Sequence, residues 1–127
     1  MNPRANILYV EDNADSRVLI KRILNAEGFE VVFAENALEA LALADNRKID
    51  LILMDINLPD VDGYQLTAQL RRLPSMKRVP ILAMTANVMK GDRERSLEAG
   101  CDGYIQKPVD VDTLPQQLNR YLLLDSK

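Results

Sequence analysis

Short apolar runs alternate along the chain with segments whose apolar residues recur at the helical period. Five of these runs are expected to form β-strands: 7–10, 30–34, 51–54, 80–84 and 104–106. Near-continuous apolar strands favour a parallel sheet covered on both faces, because strands of a half-exposed sheet alternate apolar and polar positions. We therefore predict one doubly wound α/β domain with right-handed crossovers and helices on both faces.

The segments between the strands carry helix signals. Asp15 or Ser16 is expected to cap the first helix and Asn36 the second. The fourth helix, at about 90–99 and ended by Gly100, has a poor apolar stripe. Its polar surface fits either a face left free for partners or an ordinary solvated face. The positions expected to pack on the sheet are Leu19, Ile20, Ile23 and Leu24 in the first helix, Ala37, Ala40, Leu41 and Ala44 in the second, Leu66, Leu70 and Leu73 in the third, and Leu114, Leu118, Tyr121 and Leu122 in the last.

Composition narrows the chemistry that is available. A length of 127 residues and 47% apolar residues suit a single domain, 1–127, with no output domain after it. A net charge of −3 argues against direct nucleic-acid binding through a basic field. One Cys and no His exclude a disulfide framework, a Cys-based zinc site and a phosphohistidine of the chain's own. Neither a signal peptide nor a membrane-spanning run is present, so we expect a cytoplasmic protein with no membrane association.

Polar side chains follow four of the predicted strands. Glu11 and Asp12 follow the first strand, Asp55 the third, Thr85 the fourth and Lys107 the fifth. In a parallel sheet these ends share one edge, where ligands of open α/β sheets bind. The sequence therefore predicts that three carboxylates, one hydroxyl and one ammonium group converge on a single pocket.

Like charges in that pocket need a counter-charge. Taken alone, Glu11 and Asp12 fit a solvated turn as well as a metal site, and Thr85 fits a helix cap. Asp55 directly follows a fully apolar strand, so its charge needs a partner. Two carboxylates about 4 Å apart repel by about 4 kcal/mol at an effective dielectric near 20. Helix capping, worth about 0.5–2 kcal/mol, does not offset that repulsion. A hard cation bound by oxygen ligands does, and Mg²⁺ suits phosphoryl chemistry.

These residues resemble the receiver domain of bacterial two-component response regulators, over Ile7 to about Leu123. The motifs are the acidic pair Glu11-Asp12, the run from Leu51 through Asp55 to Pro59, Thr85-Ala86, and Tyr104-Ile105-Gln106-Lys107-Pro108. Met89-Lys90-Gly91-Asp92 and Gly100-Cys101 are similar to single-domain, DivK-like receivers. The resemblance implies the CheY-like fold with strand order 2-1-3-4-5. Proline after Lys107 also permits a cis peptide bond there.

The resemblance also implies a role for each residue of the motifs. Asp55 is the expected phosphoacceptor, assisted by Lys107, the Thr85 hydroxyl and the backbone N–H of Ala86. The expected cofactor is Mg²⁺, for which Mn²⁺ can substitute. Its expected ligands are Asp12, Asp55, the backbone carbonyl of Asn57 and, through water, Glu11. Thr85 and Tyr104 are expected to form the switch, and Asn57 and Asn87 to tune the site.

The implied partners are proteins of a phosphorelay. A sensor histidine kinase or a phosphotransfer protein is the expected phosphodonor, and a downstream target is expected to bind the face formed by helix 4, strand 5 and helix 5. The protein would promote its own phosphorylation and dephosphorylation without being a multiple-turnover enzyme.

Three alternatives use a similar architecture. An aspartyl-phosphate hydrolase normally carries a DxD motif after its first strand, which Glu11-Asp12-Asn13 does not match. A flavodoxin-like module needs Thr, Ser and Gly donors around a phosphate, where this chain has acidic residues. A degenerate receiver regulated without phosphate would lack site residues that are all present in this sequence.

Overall fold

The computed structural model describes residues 5–56, 58, 61–85 and 90–125, without the side chains of 90–93, 96 and 123–125. Five strands alternate with five helices in the order β1 (Asn6–Val10), α1 (Ala14–Ala26), β2 (Glu30–Ala34), α2 (Ala37–Asn46), β3 (Leu51–Asp55), α3 (Gly63–Arg71), β4 (Ile81–Thr85), α4 (Lys90–Ala99), β5 (Gly103–Gln106) and α5 (Leu114–Asp125). A short 3₁₀ turn, Pro74–Met76, precedes β4.

The strands form one parallel sheet in the order β2-β1-β3-β4-β5. The register is continuous, with Val10 of β1 opposite Ala34 of β2 and Met54 of β3, and with Asp55 opposite Met84. This order confirms the doubly wound fold expected from the sequence, with every strand ending at the same edge of the sheet.

Two apolar layers cover the sheet, one on each face. Alternate residues of each strand point to opposite faces, so the apolar runs supply both layers. The first layer joins the strands to α2 and α3: Leu8, Val10, Ala40, Ala44, Ile52, Met54, Leu66, Leu70 and Ala83 are among its members. The second joins them to α1 and α5, and includes Ile7, Tyr9, Ile20, Leu24, Leu51, Leu53, Leu114 and Leu118.

Local signals placed most helix ends correctly. Asn36 caps α2, accepting the Glu39 N–H at 2.9 Å, and Gly100 follows α4 with φ of +109°. The expected cap of α1 was wrong, because Asn13 rather than Asp15 or Ser16 occupies that position. Its Oδ1 accepts the Ser16 N–H at 2.9 Å, since the connection from β1 is short enough for the helix to begin at Ala14.

The helix faces expected to be buried were correct except at two residues. Ile20 and Leu24 are buried in α1, but Leu19 is 49% exposed, so the buried stripe is narrower than the pattern indicated. Leu73 lies beyond the end of α3 and packs against the first layer as a partly buried residue. Leu19 lies on the solvent side of the α1 stripe, and α3 ends at Arg71, two residues before Leu73.

Candidate functional site

Three acidic side chains meet where β1 and β3 end. Glu11 and Asp12 follow the last residue of β1, and Asp55 is the last residue of β3. One carboxylate oxygen from each of the three lies within 4.8 Å of the other two. Glu11 and Asp55 are buried, with 2% and 3% of their surface exposed, whereas Asp12 is open to solvent. The predicted convergence of the three carboxylates is therefore present.

Lys107 lies between the two buried carboxylates. Its Nζ is 3.2 Å from Oε1 of Glu11 and 3.2 Å from Oδ1 of Asp55. The Lys107 backbone N–H donates to the Thr85 carbonyl at 2.8 Å, which continues the pairing of β4 and β5 up to the site. The Lys107–Pro108 peptide bond is cis, as the sequence permitted.

The charges of the site are not balanced by its own residues. Burial, a hydrogen bond shared with Asp55 and the negative charge of Asp55 all raise the pKa of Glu11, while Lys107 lowers it by a smaller amount. Burial alone would lower the pKa of Lys107, but Asp55 and Glu11 outweigh it and raise that pKa, so the ammonium group stays charged. In the part of the chain that the structure describes, three carboxylates thus face a single ammonium group.

The donor set fits a hard divalent cation. Glu11, Asp12 and Asp55 each offer one carboxylate oxygen at mutual distances that one ion can bridge. Oxygen-only ligands suit Mg²⁺, and the repulsion among the three carboxylates is what such an ion would neutralise. The expected carbonyl ligand, Asn57, lies outside the described residues.

Tyr9 and Arg17 hold Glu11 in place, and neither contact was predicted from the sequence. The Tyr9 hydroxyl donates to Oε1 of Glu11 at 3.0 Å. Arg17 donates from Nη1 to the Glu11 backbone carbonyl at 2.9 Å and pairs through Nη2 with Glu35 at 2.8 Å. Alternation along β1 places Tyr9 and Glu11 on one face, which was a readable signal for the first contact. The Arg17 contact depends on how α1 packs, so no sequence spacing indicates it.

Thr85 and Tyr104 lie on adjacent strands beside the acidic cluster. Thr85 is the last residue of β4 and is 5% exposed, and Tyr104 of β5 is half-buried. Tyr104 is opposite Ala83 in the register, so it lies diagonally from Thr85 on the same face of the sheet. The other two expected residues of this loop, Ala86 and Asn87, lie outside the described residues.

A close approach of α3 supports the Asp55 end of the site. The Gly63 N–H donates to the Ile56 carbonyl at 3.0 Å. A Cβ atom on Gly63 would lie 2.7 Å from Cα of Ile56 and 2.8 Å from the carbonyl oxygen of Asp55. Only glycine fits at this point, because both neighbours are backbone atoms that cannot rotate away.

Comparison with known proteins agrees with this geometry. A family model described as the response regulator receiver domain matches residues 7–119. This chain belongs to the response regulator receiver domain family. Receiver domains receive phosphoryl groups from histidine kinases, and they are regulators rather than classical enzymes. The suspected membership and the expected fold are therefore confirmed.

Individual relatives are similar over nearly the whole chain. The polar-differentiation response regulator DivK of Brucella anthropi is 40% identical over 117 residues, covering 92% of this chain and 95% of that protein. The receiver domain of sensor histidine kinase PA1611 from Pseudomonas aeruginosa is 38% identical, with a TM-score of 0.86, covering 94% of this chain and 98% of that one. Its structure contains a magnesium ion coordinated in the active site cleft.

A chemotaxis protein extends the likeness of fold. CheY4 of Vibrio cholerae superimposes with a TM-score of 0.90 at 29% identity, covering 94% of this chain and 99% of that one. In the part of the chain that the structure describes, every helix is too short or too polar to cross a lipid bilayer.

Proposed function

We propose that Asp55 accepts a phosphoryl group from a phosphohistidine on a sensor histidine kinase or a phosphotransfer protein. The observation that carries this proposal is the position of Asp55, a buried carboxylate 3.2 Å from the Lys107 ammonium group and beside the acidic pair Glu11-Asp12. The 127 residues contain no histidine, so the phosphohistidine lies outside them.

The transfer requires a nucleophile, a counter-charge and donors for the phosphoryl oxygens. A carboxylate oxygen of Asp55 attacks phosphorus while the bond from phosphorus to the donor's imidazole nitrogen breaks, and its electron pair stays on that nitrogen. The Lys107 ammonium group contacts the Asp55 carboxylate and is close enough to contact a phosphoryl oxygen bound there instead. Stabilising spread-out negative charge is the main task of a protein in phosphoryl transfer.

Glu11, Asp12 and Asp55 would hold Mg²⁺ or its substitute Mn²⁺, with Glu11 acting through water and the Asn57 carbonyl as a further ligand. The bound cation supplies positive charge that draws the anionic phosphoryl group toward an otherwise acidic site. The Thr85 hydroxyl and the Ala86 N–H are the proposed donors to the phosphoryl oxygens, with Asn57 and Asn87 as residues that tune the lifetime of the product.

Labelling with a small phosphodonor tests the acceptor. Incubation with acetyl phosphate and Mg²⁺ should add one phosphoryl group to the wild-type chain, measured as intact mass. Asp55→Asn should gain none and should remain folded, because the substitution preserves shape and removes a charge. Asp45→Asn, which alters an exposed aspartate of α2, is the matched control and should be labelled like the wild type. Stable labelling of the Asp55→Asn variant would refute the assignment.

The same proposal includes a switch formed by Thr85 and Tyr104. Their diagonal placement on β4 and β5 allows the Thr85 hydroxyl to move toward the phosphoryl group while the Tyr104 ring moves into the space it leaves. The face formed by α4, β5 and α5 would then present a changed surface to a downstream target. Thr85→Ala should still be labelled at Asp55, but the Tyr104 NMR signals should no longer change on labelling. Identical signal changes in both proteins would remove Thr85 from the switch.

A further inference from the structure

Tyr9 is an unusual residue for the layer in which it lies. It is 1% exposed and sits in β1 among the apolar side chains that face α1 and α5. Its ring packs against Phe33 of β2 with centroids 6.2 Å apart and planes tilted by 58°. This packing fixes the ring and leaves one polar atom, the hydroxyl oxygen, at the end of the strand next to the acidic cluster.

The two oxygens of the Glu11 carboxylate have different surroundings. Oε1 accepts two hydrogen bonds, one from the Tyr9 hydroxyl at 3.0 Å and one from the Lys107 ammonium group at 3.2 Å. Oε2 accepts the Asn13 backbone N–H at 3.4 Å, which is a long contact for an N–H donor. The fixed donors therefore concentrate on one oxygen and set the rotation of the whole carboxylate group.

We propose that Tyr9 is a positioning residue for the divalent-cation site, where its hydroxyl holds Oε1 of Glu11 and so leaves Oε2 to hold the cation through water. The proposal rests on the cation site of the proposed function and assigns to it a residue from the core of the sheet. Tyr9 acts through Glu11, in the way that outer partners orient the ligands of a metal ion.

The Tyr9 hydroxyl donates to Oε1 of Glu11 at 3.0 Å. A hydrogen bond from a neutral donor favours the ionised form of Glu11, which is the form that attracts a cation. It also lessens the repulsion between the Glu11 and Asp55 carboxylates that the apolar surroundings would otherwise strengthen.

Tyr9→Phe tests the hydroxyl while the packing of the ring is preserved. We expect Mg²⁺ to bind this variant about tenfold more weakly than the wild type by titration calorimetry. Mn²⁺ binding, measured from the loss of its free-ion EPR signal, should weaken in parallel. Tyr121→Phe is the matched control, because the Tyr121 ring packs over Gly103 at the start of β5, away from the acidic edge. Its cation affinity should equal that of the wild type.

A double-mutant cycle with Glu11→Gln separates positioning from a general structural role. If Tyr9 acts through the Glu11 carboxylate, Tyr9→Phe should change the Mg²⁺ affinity by less than about twofold in the Glu11→Gln background. A general loosening of β1 would instead weaken binding equally in both backgrounds and would overturn the proposal. So would a Tyr9→Phe affinity that is within about twofold of the wild type or tighter.

The outcome also separates this inference from the proposed function. If the wild type binds Mg²⁺ and is labelled at Asp55 while Tyr9→Phe behaves identically, only the role of Tyr9 fails. If the wild type binds no Mg²⁺, the cation site itself fails.

A second readout uses the unmodified protein in case Tyr9→Phe does not fold. The chain has four tyrosines, so ¹³Cζ-tyrosine labelling gives four NMR signals, and single Phe substitutions at Tyr64, Tyr104 and Tyr121 assign that of Tyr9 by elimination. Saturation with Mg²⁺ should shift the Tyr9 signal by more than the Tyr121 signal. A Tyr9 signal that does not move would overturn the proposal.

Discussion

At the residue scale, one guanidinium group joins α3 to the loops at the far end of the sheet. Arg71 donates from Nη1 to the carbonyls of Met76 and Val79, at 2.8 and 2.6 Å. Its Nε and Nη2 donate to the Gly100 carbonyl at 3.0 and 2.8 Å, and Nη2 pairs with Asp102 at 2.6 Å. The planar fork of arginine can satisfy these acceptors together, which the single ammonium group of lysine cannot do.

Loss of this group should destabilise the fold without touching the acidic edge. Arg71→Met keeps much of the aliphatic stem but removes every donor, so we expect the free energy of unfolding to fall by about 3 kcal/mol. Urea denaturation measures the change. Arg72→Met, at the exposed next position, should cost less than about 0.5 kcal/mol. Equal effects of the two substitutions would show that the Arg71 contacts contribute nothing specific.

Cys101 is a buried thiol whose ionisation the fold opposes. Burial raises its pKa, and the contact of its Sγ with the Thr67 hydroxyl at 3.7 Å lowers the pKa by a smaller amount. The folded protein therefore holds the thiol proton more tightly than the unfolded chain. The thiol's contribution to stability is complete below its ordinary pKa of about 8.5 and is lost as pH rises toward the folded-state pKa.

A pH series compares the wild type with Cys101→Ala under reducing conditions. The wild type should be more stable than the variant at pH 7, because alanine leaves a cavity beside Thr67. That advantage should shrink as pH rises above about 8.5, because the unfolded thiol ionises at lower pH than the folded one. Urea unfolding at both pH values measures the difference. An advantage that is independent of pH would contradict burial of a protonated thiol.

At the element scale, the position of α3 relative to β3 is decided by one glycine. The first residue of the helix, Gly63, contacts the backbone of Ile56 and Asp55 more closely than any Cβ atom permits. Asp62 caps the same helix by accepting the Tyr64 N–H at 2.8 Å, so the helix start is fixed from both sides. The helix that follows Asp55 is thereby held against the strand that carries this residue.

Gly63→Ala should therefore disturb both stability and the site. Helix propensity alone favours alanine by up to about 1 kcal/mol, whereas the steric clash should cost about 1–3 kcal/mol. A decrease in the free energy of unfolding would therefore show that the clash outweighs the gain in propensity. We expect lower stability in urea and slower labelling of Asp55 by acetyl phosphate. Gln65→Ala, at an exposed position of the same helix, controls for the propensity term. A stabilised Gly63→Ala protein would contradict the close approach.

At the scale of the whole molecule, the fold concentrates like charge at one edge of the sheet. Among the described residues, two buried carboxylates and one exposed carboxylate share that edge with one ammonium group, so their repulsion lowers the stability of the metal-free protein. A cation that binds the folded state alone stabilises it by mass action. If the proposed cation site is correct, stability therefore depends on its occupancy.

Thermal unfolding should report this linkage. Mg²⁺ at about 100 times its dissociation constant should stabilise the wild type by about 2.7 kcal/mol, observed as a higher Tm. Asp12→Asn should be at least as stable as the wild type without Mg²⁺, because a like charge is removed, and should respond less when the ion is added. NaCl at matched ionic strength is the control. An equal rise in Tm with NaCl would indicate screening rather than a bound ion.

Much of the molecule was determined by the sequence itself. Near-continuous apolar runs predicted the five strands, and apolar stripes at the helical period predicted every helix except α4, whose stripe is poor, because burying apolar faces is what drives the fold. Parallel strands end at one edge, so the residues after the strands predicted where Glu11, Asp12, Asp55, Thr85 and Lys107 would meet.

Tertiary structure alone decided how those groups are held. The Tyr9 hydroxyl, the Arg17 contact with the Glu11 carbonyl and the Arg71 fork depend on distances between elements that are remote in sequence or on the rotation of a single side chain. Gly63 is required because a Cβ atom there would lie 2.7 Å from Cα of Ile56, closer than van der Waals contact allows, and no local pattern encodes that spacing. Periodicity determines which face is buried, whereas the packing of whole elements sets the sub-ångström positions on which hydrogen bonds and charges depend.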